Sequence, residues 1–317
     1  MSIRSILVLF TAGVLASAAP AGPAPVVKQP AGVFDLAKSL PPGVGSQVVM
    51  QRFRANERGL YFYLTSSPRM AGGLILETDL KGNVQRTVAL RSHLDVLDFD
   101  AEASGALAVL ALDGGPRLLT YDADGQPAGS LPAPNVRGVC KAGGAALGAS
   151  MAADGAALVG LAGGPHASVP VLLQDGRRRP ILLCDPAGRA VWIERTTALI
   201  HVIEPAGDVV RSPQAPEMIW PRSAGRDVVF SSAALCPEGG VYIALGHSKL
   251  AEGAVVLHVD LRGNVVETIR LALPRSPEFA DAENPDWFMP PGEIGAAGPW
   301  LFLTSGDGRG KVAYYQR

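Results

Sequence analysis

The sequence predicts an all-β fold of repeated four-stranded antiparallel sheets, six of them arranged in a ring. Three observations carry that prediction. A hairpin signature recurs along the chain, a second glycine-turn signature lies upstream of each copy, and Gly and Pro are abundant. The chain of 317 residues contains 37 Gly and 26 Pro. Neither residue suits a helix interior, and both favour turns.

The first signature is a β-rich run, an acidic residue, a turn with Gly, and a second β-rich run. It reads LILETDLKGNVQRTVAL at Asp79 and Gly82, and RLLTYDADGQPAGSLPAP at Asp122 and Gly125. A degenerate copy, VPVLLQDGRRRPILL, has Asp175 and Gly176; LIHVIEPAGDVVRSPQAP has Glu204 and Gly207; VVLHVDLRGNVVETIRLALP has Asp260 and Gly263. The carboxylate can accept from the backbone of its own turn, while Gly supplies the positive φ that closes a hairpin.

The second signature, a Gly turn followed by an apolar strand, occurs at Gly59, Gly105, Gly155, Gly188, Gly240 and Gly298. The two together make a four-stranded unit. Asp79 and Asp260 are 181 residues and four repeats apart, about 45 residues per repeat, the length of a β-propeller blade. Six blades then occupy residues 31–317. The sixth lacks an outer strand, because the chain ends at RGKVAYYQR. GVFDLAKSLPPG near the N-terminus resembles that strand, so residues from about Gly32 to Leu40 are expected to pair with the C-terminal strand and close the ring. A β-sandwich or two stacked β domains is the alternative that the irregular intervals keep open. A seventh blade would require an extra hairpin within 211–235.

Ahead of the repeats, Met1 to Arg4 supply a positive start, Ile6 to Ala16 an apolar run, and Ala16-Ser17-Ala18 a small-residue cleavage site. This order is that of a secretory signal peptide over 1–18, followed by a Pro/Ala-rich linker over 19–30. The expected location is therefore secreted or periplasmic, with no membrane span after cleavage. Charged residues make up 18% of the chain and the formal net charge is −1. No long-range field exists to recruit nucleic acid or an anionic membrane. Cys140, Cys184 and Cys236 match no zinc spacing. They are expected to be small buried apolar side chains, the alternative being a disulfide whose partners the sequence does not assign.

Within the cleanest repeat, DLRGNVVETIRL at Asp260 to Leu271 resembles the repeat of NHL-type six-bladed propellers and of exported bacterial six-bladed propeller proteins. The resemblance spans most of 31–317 and rests on turn and strand patterns. It implies a fold that hosts binding scaffolds and also calcium-dependent lactonases, and fold does not choose between them. Lactonase-like enzymes hold their metal with Glu, Asn and Asp from different blades. The early acidic motif that resembles E-G-P-x-W is absent here. So are the P-N-G and S-x-D-G-x-x-L-Y-V motifs.

Other signatures of chemistry fail on spacing. The chain has no G-x-S-x-G nucleophile elbow. SGDGRGKV at Ser305 to Val312 lacks the phosphate-loop spacing, and the Asp122-Ala-Asp124-Gly125 turn has Ala133 where a calcium loop needs Glu. Arg177-Arg178-Arg179 reads as a solvated basic tip. His201 and His258 occupy matching positions in their repeats, as structural side chains do. Two regions remain as candidates for a binding site. His93, beside Asp95, opens a first strand, and first strands line the channel of a propeller. The long stretch Ser276 to Glu293 carries Glu283, Asp286 and Trp287, an acidic and aromatic set able to hold a cation or polar ligand. Arg222, in MIWPRSAGRD, is placed across the channel from it.

The reading is an exported β-propeller binding or scaffold protein without an evident catalytic site, taking an unknown small molecule or protein. The alternative is a metal-dependent lactonase- or esterase-like hydrolase with its site at the central channel. No cofactor is demanded by the sequence, and calcium is the metal that alternative would use.

Overall fold

The computed structural model describes residues 25–40, 48–66, 73–91, 94–152, 155–161, 166–169, 179–195, 199–211, 229–246, 254–274, 291–306, 308 and 310–317. Residues 1–24, where a signal peptide is expected, and Asp175 and Gly176 lie outside them.

Two short strands come first, β1 (Val26–Lys28) and β2 (Gly32–Asp35), then a single helical turn, α1 (Leu36–Ser39). Blade 1 follows as β3 (Val48–Asn56), β4 (Gly59–Ser66), β5 (Gly73–Thr78) and β6 (Val84–Ala89). Blade 2 is β7 (Asp95–Ala101), β8 (Leu107–Leu112), β9 (Pro116–Tyr121) and β10 (Pro127–Pro132). Blade 3 is β11 (Val136–Ala142), β12 (Ala145–Ala152), β13 (Gly155–Gly160) and β14 (His166–Val169). Blade 4 is β15 (Ile181–Cys184), β16 (Ala190–Ile193), β17 (Ile200–Ile203) and β18 (Val209–Arg211). Blade 5 is β19 (Val229–Leu235), β20 (Val241–Gly246), β21 (Ala254–Val259) and β22 (Val265–Leu271). Blade 6 joins β23 (Pro291–Ala297), β24 (Trp300–Ser305) and β25 (Lys311–Gln316) to β2.

This is a six-bladed β-propeller. Each blade is an antiparallel meander, and the first strands contact one another around the ring, including β15 against β19 and β23 against β3. Blades 4 and 5 are thus direct neighbours, with no seventh blade between them. Closure is by the N-terminal strand as expected: Gly32–Asp35 pair antiparallel with Tyr314–Lys311. Pairing stops sooner than the expected Leu40, because Asp35 caps α1 by accepting from the Ala37 amide at 3.0 Å and turns the chain. Leu36 then drops into the interface between blades 6 and 1. Val26–Lys28, within the Pro/Ala-rich stretch, add a parallel fifth strand to blade 5 on Ile269–Leu271.

Burial explains the sequence pattern. Each of the six hydrophobic clusters fills one interface between neighbouring blades. Leu60, Phe62 and Leu64 of β4 face blade 6, whereas Tyr61 and Tyr63 of the same strand face blade 2. Both faces of the middle strands are buried, so LYFYL and LAVLAL are continuous apolar runs where a half-exposed strand would alternate.

The hairpin signatures do the work their residues suggest. Asp79 Oδ1 accepts from the Lys81 and Asn83 amides at 2.8 and 2.9 Å, Asn83 Nδ2 donates to Oδ2 at 2.8 Å, and Gly82 sits at φ 87°. Asp260, Gly263 and Asn264 repeat this geometry between β21 and β22. Blade 3 departs from the expected assignment. Gly155 joins β12 to β13, and the turn between β11 and β12 is Gly143-Gly144. The Asp175-Gly176 copy falls in sequence between β14, the last strand of blade 3, and β15, the first of blade 4, outside the described residues. The small residues of GAALVG and HASV give that blade too weak a strand signal to fix its phase from sequence.

Cys140 of β11 and Cys184 of β15 form a disulfide that ties blade 3 to blade 4. This corrects the expectation of three apolar thiols; neighbouring first strands bring the pair to a Cα separation of 5.4 Å, well within disulfide reach. Cys236 is a buried free thiol. His201 and His258 do not occupy matching positions: counted from the turn residues Glu204 and Asp260, His258 aligns with Val202, so the two imidazoles, opposite Trp192 and Tyr242, lie on opposite faces of their blades. His201 is fully buried, with Nε2 2.9 Å from Glu194 Oε1. No helix among the described residues is long and apolar enough to cross a membrane.

Candidate functional site

The first strands of a propeller diverge from one another, so their inward backbone groups cannot all be paired within a sheet. Side chains must satisfy the remainder. Ser232 Oγ of blade 5 accepts from the Ile294 amide of blade 6 at 2.8 Å. Glu293 Oε2 of blade 6 accepts from the Phe53 amide of blade 1 at 2.5 Å. Asp98 Oδ2 and Asp100 Oδ2 of blade 2 accept from the Val139 and Lys141 amides of blade 3 at 3.1 and 2.8 Å. Register shifts in β3, β7, β11, β19 and β23 fall near these residues. Bulges of this kind re-aim side chains, here toward the channel.

At the end of the channel where the first strands begin lies a small cleft, partly open to solvent. Five arginines line it: Arg52, Arg54, Arg137, Arg179 and Arg195. Two carboxylates, Asp98 and Glu293, share the wall with Ser232. Arg52 and Arg54 are two apart on β3 and so point to the same side. Arg54 Nη2 is 2.6 Å from Asp98 Oδ1, and its Nε is 4.0 Å from Asp100 Oδ1. Arg52 Nη1 is 3.7 Å from Glu293 Oε1. Arg179 Nη1 donates to the Leu97 carbonyl at 2.9 Å, reaching past blade 3 to blade 2. Arg195, in the turn after β16, donates from Nε to the Arg179 carbonyl at 2.7 Å and from Nη1 to the carbonyls of Phe230 and Ser231.

Charge and burial oppose each other here. Burial works against the Arg54 guanidinium, but Asp98, Glu293 and Asp100 outweigh it and its pKa is raised. Burial pushes the Arg195 pKa down despite Glu293 and Asp98. Burial likewise raises Glu293, against the pull of Arg54 and Arg52.

Asp100 is pushed up to about 6 from its ordinary 3.8, by burial that Arg54 and the Lys141 amide only partly offset. The folded protein therefore holds a proton between pH 4 and 6 that the unfolded chain releases. The stability this gives is fully present below the unfolded pKa and is lost as pH rises through about 6. Wild-type stability relative to Asp100→Asn should fall by roughly 2–3 kcal/mol between pH 4 and pH 7.5. Urea unfolding of both proteins at the two pH values checks this, and a constant difference would refute it.

Of the six residues singled out from sequence, one lies among the described residues. Asp95 opens β7 opposite Leu112 and is exposed, outside the cleft lining. His93, Arg222, Glu283, Asp286 and Trp287 lie outside the described residues. Glu293, the last residue of the long acidic-aromatic stretch, is the part of that stretch seen in the wall. Arg179 is no solvated tip: its side chain and its carbonyl both hold the channel together. A usable signal was present in QRFRAN and DFDAE, where charges recur every second residue on strands that open a repeat. Such alternation puts every charge on one side of the strand. Among the described residues, no three His, Cys, Asp or Glu side chains converge as metal ligands.

A six-bladed propeller with a polar channel cleft is the class that fold and site define. No family model matches the chain, and no curated protein does. Solved structures are similar in fold. A streptogramin B lyase is 13% identical at a TM-score of 0.52, covering 90% of this chain and 87% of its own. A catalytically inactive virginiamycin B lyase from Staphylococcus aureus, with quinupristin, is 11% identical at 0.51, covering 87% and 82%. A protein of unknown function from Bacteroides thetaiotaomicron is 11% identical at 0.51, covering 90% and 76%. At such identities the likeness is one of fold.

Proposed function

We propose that this is an exported binding or scaffold protein that holds a ligand at the arginine-lined end of its central channel. One observation carries the reading: a polar cleft built on the first strands of the blades, whose carboxylates are engaged in hydrogen bonds between blades. Asp98 accepts from the Val139 amide and pairs with Arg54, and Glu293 accepts from the Phe53 amide. Groups so committed position other groups; they are poorly placed to act as metal ligands or general bases. A site on rigid strands is also preorganised, which reduces the ordering cost of binding. The hydrolase alternative needs carboxylates free to hold calcium.

The purified mature protein, supplied with calcium, should show no hydrolysis of simple lactones or aryl esters. Turnover that disappears on chelation and returns with calcium would overturn the binding reading.

A further inference from the structure

We propose that the channel cleft is an oxyanion site, in which Arg137, Arg179 and Arg195 bind the carboxylate or phosphoryl groups of a small di- or trianionic compound. This rests on reading the channel as the ligand site, and it adds the chemistry of the ligand.

The five guanidiniums of the wall face two carboxylates. Those carboxylates are taken: Asp98 by Arg54 at 2.6 Å, Glu293 by Arg52 at 3.7 Å. With Asp100 also beside Arg54, two positive charges are left over in a chain whose net charge is −1. Among the described residues, Arg137, Arg179 and Arg195 have no carboxylate within ion-pair distance. Arg179 and Arg195 are anchored by backbone carbonyls alone. A carbonyl fixes the direction of a guanidinium but leaves its charge uncompensated, and an uncompensated charge away from water is costly. Burial works against the Arg195 charge, and Glu293 and Asp98, both committed to other groups, only partly offset it. A bound oxyanion removes the cost and meets the remaining N–H groups in the planar, two-pronged geometry that guanidinium offers to carboxylate and phosphate.

Arg137 allows a clean test, because it is exposed on β11 and makes no bond to the described residues, so removing it spares the fold. Isothermal titration of the mature protein with citrate and with inorganic phosphate, in low salt, should show saturable binding of at least one. Binding should weaken as salt is raised. Arg137→Ala should retain the wild-type melting temperature and bind at least about tenfold more weakly, as expected for loss of one charge-assisted pair. Tighter binding of citrate marks a polycarboxylate ligand, and tighter binding of phosphate a phosphorylated one. Absence of binding by either anion at millimolar concentration, or equal binding by Arg137→Ala, overturns the proposal. A neutral compound that binds wild type and is blocked by Ser232→Trp would then leave the channel-binding reading standing without the oxyanion.

Discussion

Removal of residues 31–40 is expected to abolish cooperative folding at 25 °C. This segment supplies the fourth strand of blade 6, with Gly32–Asp35 paired to β25, the Ala31 amide bonded to the Tyr314 carbonyl at 2.8 Å, and the Leu36 amide bonded to the Gly310 carbonyl at 2.9 Å. Its side chains matter as much. Leu36 is 1% exposed in the cluster between blades 6 and 1, where Phe34 also packs. Phe34 lies so close over Gly82 that a Cβ there would sit 2.7 Å from its ring. Truncating a buried Leu to Ala costs about 2–5 kcal/mol by itself. With Phe34 and the strand pairing lost too, the total is on the order of 5 kcal/mol or more, comparable to the whole stability of a domain. The deletion also bares the edge of β25, an invitation to aggregate. Circular dichroism melting and gel filtration check both effects, with Leu36→Ala as an intermediate case. A truncated monomer that melts at the wild-type temperature would show that the ring is closed by something else.

Glu77→Ala is expected to cost about 3–5 kcal/mol, as breaking a buried ion pair does. Glu77 is buried on β5 between two guanidiniums, with Arg58 Nε 2.6 Å from Oε1 and Arg86 Nη2 2.7 Å from Oε2. Those arginines reach on into blade 2. Arg58 Nη1 donates to the Ser104 carbonyl at 2.6 Å, and Arg86 donates to the carbonyls of Gly105 and Ala123 at 2.6 and 2.5 Å. Glu77 thereby holds two guanidiniums against the β7–β8 and β9–β10 turns of blade 2. Alanine leaves the Arg86 guanidinium, 14% exposed, without its counter-charge. Tyr61, whose phenol is pushed up to about 12 by burial and by Glu77, marks how dry this interface is. Two further variants isolate the cause. Glu77→Gln keeps the side-chain shape and one acceptor oxygen and should lose less, and Glu77→Leu with Arg86→Met removes the carboxylate and the more buried guanidinium, leaves Arg58 to solvent, and should recover much of the stability. Urea unfolding of the set measures this, and equal losses in all three would argue against an electrostatic origin.

The local chemistry of the chain was legible in its residues. Asp79, Gly82 and Asn83 announce a particular turn, and the same letters at Asp260 announce it again, because such turns are fixed by side chains within five residues of one another. Repeat length then gave the blade count, and the unfinished sixth repeat gave the closing strand. The phase of blade 3 was not legible, since small residues there mark turns and strands alike. Nor was the pairing of Cys140 with Cys184, which depends on two first strands 44 residues apart becoming neighbours.

The site belongs to the same category. Arg52, Asp98, Arg137, Arg179, Arg195 and Glu293 come from different blades and the segments that flank their first strands. Nothing in the sequence relates them, and in isolation each reads as an ordinary polar residue. Strand alternation determined that Arg52 and Arg54 share a side; only closing the ring decided that this side faces a channel with too few carboxylates for its guanidiniums. Turns and blades are set by contacts close in sequence, whereas the charge balance of the cleft exists only when six blades meet around one axis.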